Sequence, residues 1–170
     1  MKVFKTRDTA EIPSYATEGS ACFDVKACLE IGNTIKCYTP FNKKVPMHPK
    51  IIGGSGEIGI AIPPAARVLI PTGLIFDIPK DHVIEMFIRS SVATKKGLAL
   101  VNSVGIIDSD YVDETHIIVH NMSDTIVIVN HGDRLAQCKL SKIEQTVLTQ
   151  RKTAPKQKTD RKGGIGSTGA

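Results

Sequence analysis

The chain has 170 residues, 41% of them hydrophobic, and a formal net charge of +5. This length suits one domain with a buried core and is too short for two, and no stretch reaches the ~20 apolar residues of a membrane-spanning helix. The N-terminus lacks the apolar block of a signal peptide, so we expect a cytoplasmic protein with no membrane partner.

The positive charge is concentrated near the C-terminus. Residues 151–162 contain six Lys or Arg residues and one acidic residue. The net charge of this stretch is therefore +5, the same as that of the whole chain. By charge alone this stretch suits a phosphorylated small molecule or DNA. A basic stretch with Pro and Thr beside a Gly-rich end is typical of a flexible segment. We therefore predict one domain at 1–150, followed by a flexible basic linker and arm at 151–170.

Short runs rich in Ile and Val recur between turn signals, which predicts β-strands throughout and a sandwich, jelly roll or barrel. The segment 34–60 contains several Pro and Gly residues and is predicted to be an inserted loop or hairpin on the surface. A short helix is predicted at 91–97, with a Ser at its start, lysines in its last turn and Gly97 to end it. The strands are predicted at 67–70, 74–78, 83–88, 98–101, 104–107, 116–120, 125–129 and 135–140.

Residues 102–114 combine an apolar run with a carboxylate, a polar turn and an aromatic ring. Asp108 could act there as a base, and Tyr111 could form a flat wall of a small pocket. A solvated acidic hairpin explains this run equally well by itself, because Asp is common in turns. A calcium loop is excluded, because its sixth position is Asp113 rather than Gly and its twelfth is Val119 rather than Glu.

Four further segments stand in a fixed order around this run, at 20–24, 88–93, 132–137 and 163–169. Together the five segments resemble the motifs of the trimeric dUTP diphosphatases (dUTPases). The resemblance implies an all-β jelly-roll or β-clip barrel with one short helix and a flexible C-terminal arm. It also implies hydrolysis of dUTP to dUMP and pyrophosphate by a homotrimer with composite active sites, and no nucleic-acid partner. This reaction keeps uracil out of DNA and supplies dUMP for thymidylate synthesis.

The resemblance assigns roles to individual residues. Asp108 would orient and deprotonate the water that attacks the α-phosphorus, and Tyr111 would lie against the deoxyribose and exclude a 2′-hydroxyl. Asp24 would hold the implied cofactor, Mg²⁺, through water. The other substrate-binding residues are Asn102, Gly105, Ile106, Ile107 and His116 for uracil, Arg89, Ser90, Ser91 and Gln137 for the phosphates, and Arg161, Ile165, Gly166, Ser167 and Thr168 in the arm.

The sequence departs from the family pattern in the first, second, third and fifth motifs, and two rival functions are possible. Ile165 replaces the usual Phe of the arm, so aromatic stacking over the uracil is lost and weaker closure is expected. A dCTP deaminase is the nearest alternative, but its proton-shuttling Glu would fall at Ile118, whose side chain cannot transfer a proton. The other alternative is a catalytically weak or silent regulator that binds protein or DNA through the 34–60 segment and the basic tail. Retention of Asp108, Tyr111 and Arg89 argues against it.

Overall fold

A computed structural model describes residues 1–54, 56–160 and 163 of the chain. Within these residues it contains fourteen β-strands and one short helix, which confirms the predicted all-β class. The elements are β1 (Lys2–Lys5), β2 (Phe23–Lys26), β3 (Ile35–Tyr38), β4 (Lys44–Met47), β5 (Lys50–Ile52), β6 (Glu57–Ile62), β7 (Arg67–Pro71), β8 (Leu74–Asp77), β9 (His82–Ile88), α1 (Ser90–Lys96), β10 (Leu98–Leu100), β11 (Gly105–Ile107), β12 (His116–Asn121), β13 (Val127–Asn130) and β14 (Arg134–Lys142).

Two larger sheets carry most of the fold. One has five strands in the order β10-β12-β7-β3-β4, and the other has four in the order β11-β9-β14-β2. Buried and partly exposed positions alternate along β12, where Ile117 and Val119 are fully buried, because successive side chains of a strand point to opposite faces. The inward residues of both sheets, such as Val68, Ile84 and Cys138, belong to one hydrophobic cluster. Each fully buried Ile or Val side chain contributes about 1.5–3 kcal/mol to that core.

The eight predicted strands are all present, with ends that differ by one or two residues from the predicted ends. The helix begins at Ser90, and the residue that caps it is Arg89, whose backbone is extended and whose side chain makes no capping hydrogen bond. The predicted Ser cap is therefore wrong. The predicted end is confirmed, since Gly97 adopts the left-handed conformation at φ 63°.

The segment 34–60 is more regular than its Pro and Gly content suggested. β3 pairs with both β4 and β7, so β3 and β4 extend the five-stranded sheet, and β5 pairs with β6 in a second hairpin. Pro46 is tolerated because β4 is the edge strand, where a missing N–H need not break the sheet. Whether this segment is an insertion stays a prediction.

Residues 151–160 are exposed and contain no helix or strand. The proposed boundary after residue 150 stays a prediction. No helix of the described ranges combines the length and apolar character that crossing a membrane requires.

Candidate active site

A pocket of about 190 Å³ lies between β11 and the strands β12 and β7 of the other sheet. It contains all five residues predicted to bind uracil and the Tyr111 ring predicted to contact the sugar. The structure therefore brings together the residues of the 102–116 run, while their roles stay predictions. The lining residues are Asn102, Gly105, Ile106, Ile107, Tyr111 and His116, together with Leu69, Met86, Thr115 and Ile118.

The walls of this pocket are largely strand backbone. β11 is the edge strand of its sheet, and β10 pairs only with the second half of β12, so the half that begins at His116 borders the pocket. At Gly105 an added Cβ would lie 3.2 Å from the Cβ of Met86 and 3.4 Å from Nδ2 of Asn102. Gly105 thus keeps space at the pocket wall that a side chain would fill. The strand backbone exposed there is a rigid set of hydrogen-bond donors and acceptors.

Tyr111 is fixed at both ends. Its backbone N–H donates to the carbonyl oxygen of Asp108 at 3.1 Å, and its hydroxyl donates to the carbonyl oxygen of Glu114 at 3.0 Å. Burial, and then the negative charges of Asp113 and Glu114, raise the pKa of Tyr111, so the phenol is neutral at pH 7. The ring is 42% exposed and forms a flat neutral wall.

Glu114 anchors this region to the N-terminal part of the chain, through a contact that no sequence pattern predicts. Its Oε2 accepts from Nη2 of Arg7 at 2.8 Å, and its Oε1 accepts from Nη1 of Arg7 and from the N–H of Gly73, the latter at 2.7 Å. Burial raises the pKa of Glu114, but the hydrogen bonds from Arg7 and Gly73 outweigh it, and the net effect is a lowered pKa. Glu114 is therefore ionised at neutral pH and bound to Arg7.

Asp108 lies outside the pocket within the single chain. It follows the last residue of β11, is exposed, and lines a separate open cavity of about 520 Å³ with Lys80, Asp110 and Gln145. The structure therefore does not place Asp108 and Tyr111 on the walls of one cavity, although they are joined by a turn.

The residues predicted to bind phosphate lie at the four-stranded sheet. Gln137 on β14 pairs in register with Asp24 on β2 and with Phe87 on β9, so these three share one face of the sheet. Nε of Arg89 lies 3.0 Å from Oδ1 of Asp24, and Nη1 of Arg134 donates to Oδ2 of Asp24 at 3.2 Å. Two guanidinium groups around one carboxylate give this cluster a net charge of +1, which favours an anion.

The other predicted phosphate residues are Ser90 and Ser91, which are exposed in the first turn of α1 beside Arg89. Arg161, Ile165, Gly166, Ser167 and Thr168, predicted to form the arm, lie outside the described residues.

The pocket and the arginine cluster are separated within one chain. In the β9–β11 pairing Ile107 is opposite Ile84, which places Asp108 level with Val83, whereas Arg89 follows the other end of β9. Val83 and Arg89 are six residue steps apart along extended backbone, which corresponds to about 20 Å. Asp108 and Arg89 of one chain therefore lie at opposite ends of β9.

The described residues contain no group of three or more His, Cys, Asp or Glu side chains that could hold a metal ion. Asp24 is nevertheless able to contact a hydrated ion, because an ionised carboxylate has about four acceptor positions and the two arginines use only part of them. This donor set fits a magnesium ion that keeps its waters and is bound mainly by phosphates, and it does not fit a metal cage.

The chain is similar to known proteins along most of its length. The family model described as dUTPase matches residues 55–169. A deoxyuridine 5′-triphosphate nucleotidohydrolase of Desulfotalea psychrophila is 35% identical over 95% of this chain and 89% of its own length. Among solved structures, a mutant dUTPase of Staphylococcus bacteriophage 80alpha with dUpNHpp has a TM-score of 0.73 at 17% identity, covering 99% of this chain and 98% of its own. A mutant dUTPase from phage phi11 of S. aureus, which coordinates a structural Mg(II) ion, has a TM-score of 0.65 at 20% identity, covering 89% and 96%.

Proposed function

This chain belongs to the dUTPase family and hydrolyses dUTP, and we propose that Asp108 activates the water that attacks the α-phosphorus. Attack there releases dUMP and pyrophosphate. An ordinary carboxylate suffices as the base, because a water held in line needs only a transient proton acceptor. The observation that carries the proposal is the pocket of about 190 Å³ in which the residues predicted for uracil and deoxyribose meet, because Asp108 is joined to its wall by the turn that ends at Tyr111.

Uracil would bind to the backbone of Gly105 to Ile107 and around His116, with Asn102 beside it. The ring of Tyr111 would lie against the deoxyribose and leave no space for a 2′-hydroxyl. Its fixed position supports this role, because steric exclusion requires a wall that does not move away.

The triphosphate would bind at Arg89, with Ser90, Ser91 and Gln137 near it. The Arg89–Asp24 ion pair and the carbonyl of Arg134, which accepts from Nη1 of Arg89 at 3.3 Å, orient the guanidinium before a nucleotide arrives. We propose Mg²⁺ as the divalent ion, contacted by Asp24 through water; when bound, it neutralises charge on the phosphates. The arm residues Arg161, Ile165, Gly166, Ser167 and Thr168 stay predicted contacts of the nucleotide, and the cytoplasmic location stays a prediction.

The direct test is the release of pyrophosphate and ammonia from dUTP, dCTP and UTP in the presence of Mg²⁺. We expect pyrophosphate from dUTP alone, because the ring of Tyr111 would exclude a 2′-hydroxyl and Ile118 would stand where a deaminase needs a glutamate. Ammonia from dCTP would establish deamination. The absence of pyrophosphate from dUTP would favour the regulatory alternative.

The separation of Asp108 from Arg89 supports a composite site, and we propose that the chain is a homotrimer in which each site uses residues of neighbouring chains. Co-expression of Asp108→Asn and Arg89→Ala chains tests this. Each variant alone is expected to be nearly inactive. In mixed trimers a site that takes Asp108 from one chain and Arg89 from the other is intact, so about a quarter of the wild-type activity should return.

The matched control is a chain that carries both substitutions, co-expressed with the wild-type chain in equal amounts. Lack of recovery in the complementing pair, or full activity of a monomer in a solution size measurement, would contradict the composite site.

A further inference from the structure

The β3–β4 hairpin presents an exposed aromatic ring among lysines. Phe41 lies in the turn and is 91% exposed, so almost none of its ring contacts the described chain. Lys36 on β3, Lys43 before β4 and Lys44 on β4 are also exposed. These four residues, Lys36, Phe41, Lys43 and Lys44, are called the hairpin patch below.

The charge around this patch is of one sign. Between Glu30 and Glu57 the sequence has four lysines and no acidic residue. The net charge outside 151–162 is zero. The four positive charges of this segment are therefore balanced by acidic residues elsewhere in the chain. A local cluster of this kind attracts polyanions even when the domain as a whole is neutral.

The cationic surface continues from the hairpin across the sheet. In the strand registers Lys44 pairs with Tyr38, Tyr38 with Arg67, and Arg67 with His120. Directly paired residues of neighbouring strands point to the same face, so these four form one row across the outward side of the five-stranded sheet. The row adds a second aromatic ring and further positive charge next to the hairpin patch.

The turn that carries Phe41 is held in place. Nη2 of Arg67 donates to the carbonyl oxygen of Thr39 at 3.0 Å and to Oδ1 of Asn42 at 2.7 Å. The backbone N–H of Thr39 donates to the carbonyl oxygen of Lys43 at 2.9 Å, and Asn42 takes the left-handed conformation at φ 60°. The exposure of Phe41 is therefore a fixed feature of a pre-organised turn.

We propose that the hairpin patch binds single-stranded nucleic acid, with a base stacked on the ring of Phe41 and phosphates paired with Lys36, Lys43 and Lys44. Every base has a flat face that stacks on an aromatic ring, and lysines neutralise the backbone without reading sequence. A duplex offers no free base face to a single ring. An acidic protein segment matches the charge of the patch but gives the flat ring no equivalent partner. Nothing in this inference depends on how the dUTP site works.

The test is the fluorescence anisotropy of a labelled thymidine 20-mer titrated with the full chain at several salt concentrations. Phe41→Ala is expected to weaken binding at least tenfold. The double variant Lys43→Glu and Lys44→Glu should weaken it similarly and reduce the slope of log K against log salt by about 1.4, because two phosphate contacts are lost. The matched control reverses two exposed lysines of the basic tail, Lys152→Glu and Lys156→Glu, and should weaken binding less than threefold.

Hydrolysis of dUTP within twofold of wild type by all three variants would show that they fold. The proposal is overturned if the 20-mer does not bind at low salt, if Phe41→Ala binds as tightly as wild type, or if only the tail variant loses affinity. Equal binding of a DNA duplex or of polyglutamate would also overturn it, because either result would show that charge alone is recognised.

Discussion

Replacing Asp108 by asparagine is expected to lower kcat for dUTP by about 10³-fold and to leave nucleotide affinity nearly unchanged. The amide keeps the size of the carboxylate but cannot accept a proton from water. The carboxylate of Asp108 makes no hydrogen bond or ion pair with any other residue of 1–54, 56–160 or 163, so the substitution removes chemistry without removing a structural contact. Pyrophosphate release under single-turnover conditions measures the chemical step directly.

Asp110→Asn is the matched control for this prediction. Asp110 belongs to the same turn, is exposed, and lines the same cavity, but the family resemblance gives it no role. Its activity should remain within about twofold of wild type. Calorimetry with the imido analogue dUpNHpp would report affinity separately. Retention of more than a tenth of the activity in Asp108→Asn, or an equal loss in Asp110→Asn, would show that another group activates the water.

The strands that could be predicted are those whose hydrophobic pattern is carried by their own residues. β9 and β12 contain short runs of apolar residues, rich in Ile and Val, and appear at the predicted places. β3 and β4 were not predicted as strands, because the Pro and Gly residues of 34–60, among them Pro46 in β4, indicated only an inserted loop or hairpin. What makes them strands is pairing with each other and with β7, which is information about distant parts of the chain.

In the candidate site, too, the residues that are close in sequence could be predicted, and the contacts between distant segments could not. The pocket residues from Asn102 to His116 are close in sequence, so one motif contained nearly all of them. The Asp24 cluster was partly predicted, since its members stand in three motifs, but their ion pairing needed the β2-β14-β9 register. The bond between Arg7 and Glu114 joins positions 107 residues apart, and Arg7 lies in none of the five motifs. The separation of Asp108 from Arg89 likewise follows only from the strand register.

The contact between Arg7 and Glu114 leads to the second large effect, which concerns stability and its dependence on pH. Glu114→Gln is expected to lower the free energy of unfolding at pH 7 by about 2 kcal/mol, because it leaves the partly buried guanidinium of Arg7 without its nearest anion. The substitution should also raise KM for dUTP, because the contact with Arg7 holds the backbone at Glu114, whose carbonyl oxygen accepts from the hydroxyl of Tyr111.

The pH dependence follows from the lowered pKa of Glu114 in the folded chain. Around that pKa the unfolded chain binds more protons than the folded chain, so the stabilisation is fully present above the ordinary glutamate value of about 4.5 and is lost as pH falls through the lower, folded-state pKa. The stability difference between wild type and Glu114→Gln should therefore be constant from pH 7 to pH 5 and shrink towards pH 3, as measured by urea unfolding at each pH. The matched control is Glu11→Gln, because the carboxylate of Glu11 pairs with Lys26 and is more exposed than that of Glu114. This substitution should lower the free energy of unfolding at pH 7 by less than about 0.5 kcal/mol. A wild-type advantage over Glu114→Gln that stays the same at pH 3 as at pH 7 would mean that the carboxylate does not stabilise the fold through its charge.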